Sequence, residues 1–175
     1  MISSTASTSN RFVCEATELH ISFHRRFSSI CWLTLLTLIA PVARPATPSL
    51  GIFQDHRDVG TVLHSGSVEY NEAQQAYTIS GSGANMWFGE DDFHYLWTKV
   101  SGDVSLTADI AFVGNTGNNH RKAVLMIRQS LDANSPAVDL ARHGDGLTSL
   151  QYRDAPGANT HEVESNVSAP RTVRI

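Results

Sequence analysis

The chain has 175 residues and a formal charge of −4 at pH 7, with 17 acidic and 13 basic side chains. From Thr47 onward, nine lysine and arginine residues stand against fifteen aspartate and glutamate residues, a formal charge of −6 with histidine neutral. Nucleic acid backbones and anionic lipid surfaces both demand clustered basic side chains, so this composition excludes them as favoured partners.

The N-terminal part of the chain, residues 1–46, has the layout of a secretory signal. Basic residues end at Arg26, and residues 30–40 form an apolar run. A basic stretch before about 7 to 15 apolar residues is typical of export signals, whereas a membrane span needs roughly 20. We therefore expect export to the periplasm or the extracellular space. Because Arg44 stands where a cleavage site has a small residue, one alternative is an uncleaved membrane anchor at 30–40. A second alternative is that the apolar run is a buried helix of a small N-terminal subdomain.

Both cysteines, Cys14 and Cys31, lie within this N-terminal part. The rest of the chain therefore cannot build a disulfide framework, a thiolate zinc site or a catalytic thiol. A bacterial lipid anchor would place a cysteine at the end of the apolar run, and Cys31 stands at its beginning. The sequence thus disfavours a lipoprotein.

Residues 50–175 are predicted to form one domain of ordinary size. In chain order, the predicted strands cover residues 66–70, 76–80, 93–100, 104–112, 123–127, 137–142, 147–152 and 172–175. Apolar and polar side chains alternate over 104–112, which predicts one face on a core. Residues 123–127 are apolar on both faces, as in a central strand.

The arrangement of these strands predicts the fold class. Many short strands separated by turn residues, with no helical stretch and no internal repeat, indicate an all-β sandwich or jelly roll. The last strand opens after Pro170 and reaches Ile175 with no partner strand following it. We therefore expect a sandwich truncated at its C-terminal strands.

Seven separated segments carry a family resemblance: LGIF (50–53), DVG (58–60), GSVEY (66–70), SGSGANMW (80–87), FH (93–94), SGD (101–103) and KAVLMIRQSLD (122–132). Together they resemble the concanavalin A-like jelly-roll domains of bacterial secreted proteins. The nearest likeness is to the domain before a WD-type β-propeller in proteins labelled TolB-like or biopolymer-transport-like. The resemblance implies a concanavalin A-like fold and a role accessory to such a propeller. It implies little chemistry, because jelly rolls host lectins, glucanases and spacers alike.

Two acidic clusters bear on catalysis, residues 90–92 and the pair Glu162 and Glu164. Concanavalin A-like glucanases use carboxylates on one strand face, written E-x-D-x-E, to flank the sugar bond. Consecutive carboxylates point to alternate faces, and Glu162 with Glu164 lacks the central Asp. We therefore interpret both clusters as solvated turn charges and predict no catalysis, with a relative of glycan hydrolases as the alternative.

Aromatic residues near the middle of the domain provide a candidate binding site. Sugar rings stack on exposed Trp or Tyr side chains while amides and carboxylates bind the hydroxyls. Alternation places Tyr95 and Trp97 on one strand face with Phe93, and Trp87 stands beside Asn85 in a predicted loop. The predicted ligand-binding residues are therefore Asn85, Trp87, Tyr95 and Trp97. The alternative is that these aromatics fill the core.

No cofactor is predicted, with calcium as the one alternative. Asp132 with Asn134, and Asp145 between two glycines, offer oxygen ligands on loops, although such residues are also ordinary turn formers. Six histidines beyond residue 50 are scattered along the chain without metal-ligand spacing, so a histidine site would have to be assembled from distant strands.

The sequence as a whole predicts an exported, non-catalytic jelly-roll module that binds a glycan or a partner protein at the cell envelope. The alternatives are a glycan hydrolase relative and a purely structural spacer. Membrane contact is expected only through the N-terminal segment.

Overall fold

The computed structural model describes residues 2–5, 10–21, 49–114 and 117–175. These residues form twelve strands and no helix, which confirms the prediction of an all-β chain. The strands are β1 Ile2–Thr5, β2 Asn10–Ile21, β3 Asp55–Val59, β4 Ser67–Asn71, β5 Ala76–Gly81, β6 Phe93–Trp97, β7 Val104–Val113, β8 Lys122–Arg128, β9 Ala137–His143, β10 Thr148–Arg153, β11 His161–Glu164 and β12 Thr172–Arg174.

The strands form two sheets in which all neighbouring strands are antiparallel. The seven-stranded sheet has the order β11-β10-β9-β8-β1-β6-β3, and the five-stranded sheet has the order β12-β7-β2-β5-β4. The first two strands of the chain therefore lie inside the sheets, one in each, with a neighbour on both sides.

One apolar core contains side chains from both sheets. On β7, Leu106, Ala108 and Ile110 are buried, as the alternation over 104–112 predicts. They share this core with Leu125 of β8 and with Leu96 of β6, which belong to the other sheet. The two sheets are thus held together by apolar burial along their facing sides.

A second apolar cluster lies on the opposite side of the seven-stranded sheet, which we call its outer face. Val124 and Met126 alternate with Leu125 along β8 and point to this face together with Phe93 and Tyr95 of β6. All four side chains are buried. Because β8 is apolar on both faces and has a neighbour on each side, its prediction as a central strand is confirmed.

Several strand boundaries differ from those that the sequence predicts. Strand β6 ends at Trp97, before the predicted end at residue 100, and β3 and β11 were not predicted at all. Both missed strands are rich in charged residues and histidine, which hide the alternation. The last predicted strand exists as β12 and pairs with β7, which precedes it in the chain.

Most of the predicted N-terminal signal lies outside the described residues, so it stays a prediction. The apolar run at residues 30–40 lies outside the described residues. Strands β1 and β2 occupy part of the segment before it, where the sequence pattern predicts no strand. In the described part of the chain, no helix has the length and apolar character needed to span a membrane.

Candidate ligand-binding pocket

A pocket of about 530 Å³ opens on the outer face of the seven-stranded sheet. Its walls come from the loop between β5 and β6, from the start of β8, and from the strands β9, β10 and β11. The lining residues are Ala84, Asn85, Trp87, Asn118, His120, Arg121, Lys122, His143, Leu147, Gln151, Glu162 and Glu164.

The strand register brings the polar side chains of the pocket together. Lys122 on β8 lies opposite His143 on β9, and Gln151 on β10 lies opposite Glu162 on β11. Residues directly opposite each other in antiparallel strands point to the same face of the sheet. Four residues that are far apart in the chain therefore converge on one floor.

Lys122 forms the centre of this floor. Its Nζ donates hydrogen bonds to Asn85 Oδ1 at 3.0 Å, to the Met86 carbonyl at 3.2 Å and to Gln151 Oε1 at 3.2 Å. The same Nζ lies 5.3 Å from the centre of the Trp87 ring, within range of a cation–π contact. Burial lowers the pKa of Lys122, although nearby carboxylates oppose this shift. Lys122 thus ties the loop that carries Asn85 and Trp87 to the sheet.

Glu162 supplies a fixed carboxylate at the edge of the floor. Its Oε1 accepts a hydrogen bond of 2.8 Å from Gln151 Nε2. Partial burial would raise the pKa of Glu162, but hydrogen bonds from Ser149 and Gln151, helped by the positive charge of Lys122, lower it overall. At neutral pH the pocket therefore presents an ionised carboxylate in a set orientation.

His143 presents one ring nitrogen to the pocket. Its Nδ1 lies 3.1 Å from the Leu147 carbonyl, so the tautomer with a proton on Nδ1 donates to that oxygen. Burial lowers the pKa of His143, and the positive charge of Lys122 adds to this effect. His143 is consequently neutral at pH 7, and its Nε2 can accept a hydrogen bond from a ligand.

The loop between β5 and β6, residues 82–92, is fixed to the outer face by buried charges. Asp91 accepts hydrogen bonds from Arg153 at 2.7 and 3.0 Å and from Arg128 at 3.1 Å. Its own backbone N–H donates to the Ala133 carbonyl at 3.0 Å. Because this anchor holds the loop, Asn85 and Trp87 have a defined position before any ligand binds.

The four predicted binding residues fall into two groups. Asn85 and Trp87 line the pocket, where Asn85 is exposed and Trp87 is half-buried. Tyr95 is buried in the outer-face cluster, and Trp97 packs against that cluster. Tyr95 and Trp97 line a separate cavity of about 310 Å³, beside Arg128 at the opposite end of β8 from Lys122. The structure therefore does not bring all four together.

The interpretation of the acidic clusters as solvated turn charges is wrong for Asp91, which is buried, and for the placement of Glu162 and Glu164 in a turn, whereas Glu90 is exposed. Asp91 is buried in the ion-pair cluster, because two arginines compensate the cost of removing its charge from water. Glu162 and Glu164 lie on strand β11 and both line the pocket. Because Glu162 and Glu164 are two residues apart on one strand, both side chains point to the same face of the sheet.

Sequence reasoning also missed Lys122, His143 and Gln151 as pocket residues. Each is buried, although lysine and glutamine are usually exposed and histidine is intermediate. The available signal was a polar residue at a strand end, such as Lys122 directly before the apolar run of β8. A polar residue at a strand end can be recognised as a pocket residue only when the neighbouring strands and their register are known.

The residues considered for calcium lie in turns. Asp145 Oδ1 accepts the Leu147 N–H at 3.0 Å, and Asp132 Oδ2 accepts the Ser130 hydroxyl at 2.9 Å. In the described ranges, no three or more His, Cys, Asp or Glu side chains are grouped to hold a metal ion. These contacts are those of ordinary turn-forming residues.

Two of the histidines form a chain with a carboxylate. His94 Nδ1 lies 2.7 Å from Asp58 Oδ1, and His94 Nε2 lies 2.9 Å from His56 Nδ1. Strand pairing produces this contact, because β3 places Asp58 opposite His94. These three hydrogen-bonded side chains lie on the face of β6 that is opposite to Tyr95, and they do not line the pocket.

Comparison with known proteins gives no family for the chain: no protein-family model, curated protein or solved structure matches it.

Proposed function

We propose that the protein is a carbohydrate-binding module with a concanavalin A-like jelly-roll fold, and that its ligand binds in the pocket beside Trp87. The observation that carries this proposal is the position of a half-buried Trp ring next to hydrogen-bonding groups that are already fixed by the protein. Sugar recognition needs an apolar surface for the ring and oriented polar groups for the hydroxyls.

The polar groups of the pocket divide into those that are saturated and those with spare capacity. Lys122 uses all three of its N–H groups, and Gln151 uses its oxygen and both amide hydrogens, on Ser149 and Glu162. These two residues hold the site in shape. Among the floor residues and Asn85, the groups left for a ligand are the Glu162 carboxylate, Nε2 of His143 and the amide nitrogen of Asn85.

This set of free groups fits a neutral sugar. A hydroxyl both donates and accepts hydrogen bonds, so it can donate to Glu162 or His143 and accept from Asn85. Because the acceptors and the donor are held before binding, little ordering free energy is lost on association. A pocket of about 530 Å³ lies within the range of roughly 300 to 1,000 Å³ for small-molecule sites.

A second candidate is glycoside hydrolysis, which is favoured by one observation: Glu162 and Glu164 share a strand face and both line the pocket. Hydrolysis by two carboxyl groups requires one of them to be protonated as a general acid. The pKa of Glu162 is lowered, so this residue suits the nucleophile and not the acid. Because the pair also lacks the central Asp of the glucanase pattern, with Val163 between the two glutamates, we propose binding without turnover as the main function.

The cellular setting is part of the proposal and depends on the sequence pattern alone. An apolar run after basic residues supports export, and the resemblance to domains that precede propellers supports an accessory role at the cell envelope. In that setting, the module would hold a glycan near its partner domain.

The binding proposal is tested with the full chain on an array of soluble glycans, followed by calorimetric titration of the best ligand. We expect Trp87→Ala and Glu162→Gln each to weaken binding at least tenfold, about 1.4 kcal/mol. The matched controls are Phe88→Ala and Glu90→Gln, which change neighbouring exposed residues outside the pocket. Retention of every glycan by Trp87→Ala and Glu162→Gln at wild-type affinity would refute the site.

The hydrolase candidate is tested by incubating any bound oligosaccharide with the protein and measuring new reducing ends. We expect no release above the blank. Release that disappears in both Glu162→Gln and Glu164→Gln, but not in Glu90→Gln, would replace the binding function with hydrolysis.

A further inference from the structure

The seven-stranded sheet extends past the five-stranded sheet on one side and leaves an apolar surface uncovered. Leu150 and Tyr152 of β10, with His161 and Val163 of β11, point to the inner side of the sheet, opposite to Gln151 and Glu162. We call these four residues the shelf. Leu150 is 40% exposed and Val163 is 59% exposed, although strand alternation aims both toward the side where the core lies.

The shelf lies beside the end of the five-stranded sheet. That sheet ends at β12, where Val173 is buried in the same core as Leu140 of β9. Strands β10 and β11 come after β9 in the other sheet and have no strand of the described residues opposite them. Their spacing of about 4.8 Å per strand leaves a step roughly 10 Å wide, enough for one or two added strands.

Among the described residues, strand β12 has a neighbour on one side only, β7, so its other edge offers hydrogen-bonding groups above this step. The carbonyls of Arg171 and Ile175 accept hydrogen bonds from β7 at 2.9 and 3.0 Å. In an antiparallel ladder, alternate residues point to opposite sides, so the backbone N–H and C=O groups of Thr172 and Arg174 point away from β7. Unpaired groups of this kind are a template for an additional strand.

A second copy of the chain cannot pair with this edge through its own β12. In a two-fold arrangement, each β12 would pair with the other, and the β10–β11 extension of each copy would cross the axis into the volume of the other. The step has room for a single strand that does not carry a second sheet of its own below it. This geometry favours a single extended segment of another protein.

The charge at the edge selects the composition of that segment. Arg174 is exposed, and its Nε donates to the Ser105 hydroxyl at 2.8 Å. An acidic side chain on the neighbouring strand would form a favourable cross-strand pair with it. The alternate side chains of the added strand would face the shelf and would need to be apolar.

We propose that β12 and the shelf form a docking site for an extended segment of a partner protein in which apolar and acidic residues alternate. The segment adds to the five-stranded sheet as a strand and covers Leu150, Tyr152 and Val163. This site lies on the opposite side of β10 and β11 from the pocket, so it does not depend on the proposed function.

The test uses the full chain and a fluorescent peptide, Glu-Val-Glu-Val-Glu-Val-Glu, in anisotropy titrations. We expect saturable binding, and weaker binding of the same peptide with lysine in place of glutamate. Two further peptides carry N-methyl groups on all valines or on all glutamates. Because a strand pairs through alternate residues, we expect one of them to bind at least tenfold more weakly. Equal binding of the parent and both methylated peptides would overturn strand addition.

Substitutions in the protein test whether the peptide binds at the shelf. We expect Val163→Asp to weaken binding at least tenfold, while the control Val113→Asp, at an exposed valine of β7, leaves binding unchanged. Arg174→Glu, a surface change that needs no repacking, should reverse the preference between the glutamate and lysine peptides. Unchanged preference in Arg174→Glu, or a dimer in sedimentation that the peptide does not dissociate, would refute the proposed partner.

Discussion

Arg153 and Asp91 form a buried, two-pronged ion pair, with nitrogen–oxygen distances of 2.7 and 3.0 Å. The remaining N–H groups of Arg153 donate to the carbonyls of Phe88, Ser135 and Ala158. These three carbonyls belong to three different loops on the outer face of the seven-stranded sheet. One side chain therefore ties the loop that carries Asn85 and Trp87 to the β8–β9 and β10–β11 loops.

Removal of Arg153 is predicted to destabilise the fold strongly. Arg153→Met would leave Asp91 with Arg128 alone and would remove the Arg153 donors from the Ser135 and Ala158 carbonyls, so we expect a loss of about 3 to 5 kcal/mol. The measurement is the free energy of unfolding in urea. The control is Arg171→Met, because Arg171 is exposed and its ion pair with Asp109 is worth at most about 1 kcal/mol. Similar losses for both variants would contradict the assigned role.

Asp139 is predicted to lower stability at neutral pH. Its side chain lies on β9, and its Oδ1 is buried without a hydrogen-bond partner among the described residues. Burial raises the pKa of Asp139 to about 7, against the attraction of Lys122. A carboxyl with a raised folded-state pKa contributes its full stability below the unfolded value, near 3.8, and that contribution is lost as the pH rises toward 7.

Asp139→Asn should therefore be more stable than the parent protein, and the difference should grow between pH 4 and pH 7. We expect at least about 1 kcal/mol at pH 7, or roughly 2 to 4 °C in melting temperature. Calorimetric melting of both proteins across this pH range measures the difference. A constant difference across the range would show that folding does not raise the pKa of Asp139. A variant less stable than the parent at pH 7 would show that ionised Asp139 is needed beside Lys122.

The two buried histidines are predicted to act in the opposite direction. Burial lowers the pKa of His94, more than its hydrogen bond to Asp58 raises it, and burial also lowers the pKa of His143. Because the unfolded chain binds these protons more readily, their contribution is present above about pH 6.5 and is lost as the pH falls below it. NMR titration should give both rings midpoints below 6.5. A His94 midpoint at or above 6.5 would refute this environment.

The sequence predicts a strand best where apolar side chains occupy the buried face of that strand. Alternation at 104–112 and the apolar run at 123–127 correspond to β7 and β8, because burial of apolar area is what aligns those strands. Strand β11 has the sequence HEVE, and its alternation separates a pocket face from a shelf face, neither of which is an ordinary core. Propensity alone therefore gives no signal for it.

The pocket was harder to predict than the strands. Asn85 and Trp87 could be singled out because a Trp beside an amide in a loop is typical of a binding surface. Alternation places Tyr95 on one strand face with Phe93 and Trp97, but that face packs into an apolar cluster in which Tyr95 is buried. Lys122 and Gln151 become visible only through register, since the alignment of β8 to β11 decides which polar groups meet.

Gly83 sets the height of the loop above the sheet, and its replacement is predicted to disturb the pocket. A Cβ on Gly83 would lie 1.8 Å from the Asp92 carbonyl oxygen, where backbone atoms cannot move aside without shifting the loop. Gly83→Ala should therefore lower the melting temperature and weaken ligand binding, because Asn85 and Trp87 leave their positions above Lys122.

The control for Gly83 is Gly102→Ala. Gly102 has open space around it and a φ of +82°, so alanine there meets backbone strain but no clash, at a cost of about 1 kcal/mol. Differential scanning calorimetry and Trp fluorescence of the two variants separate the effects. If Gly83→Ala cost no more than Gly102→Ala and left the Trp87 emission unchanged, the close packing of the loop on Asp92 would not be what positions the pocket.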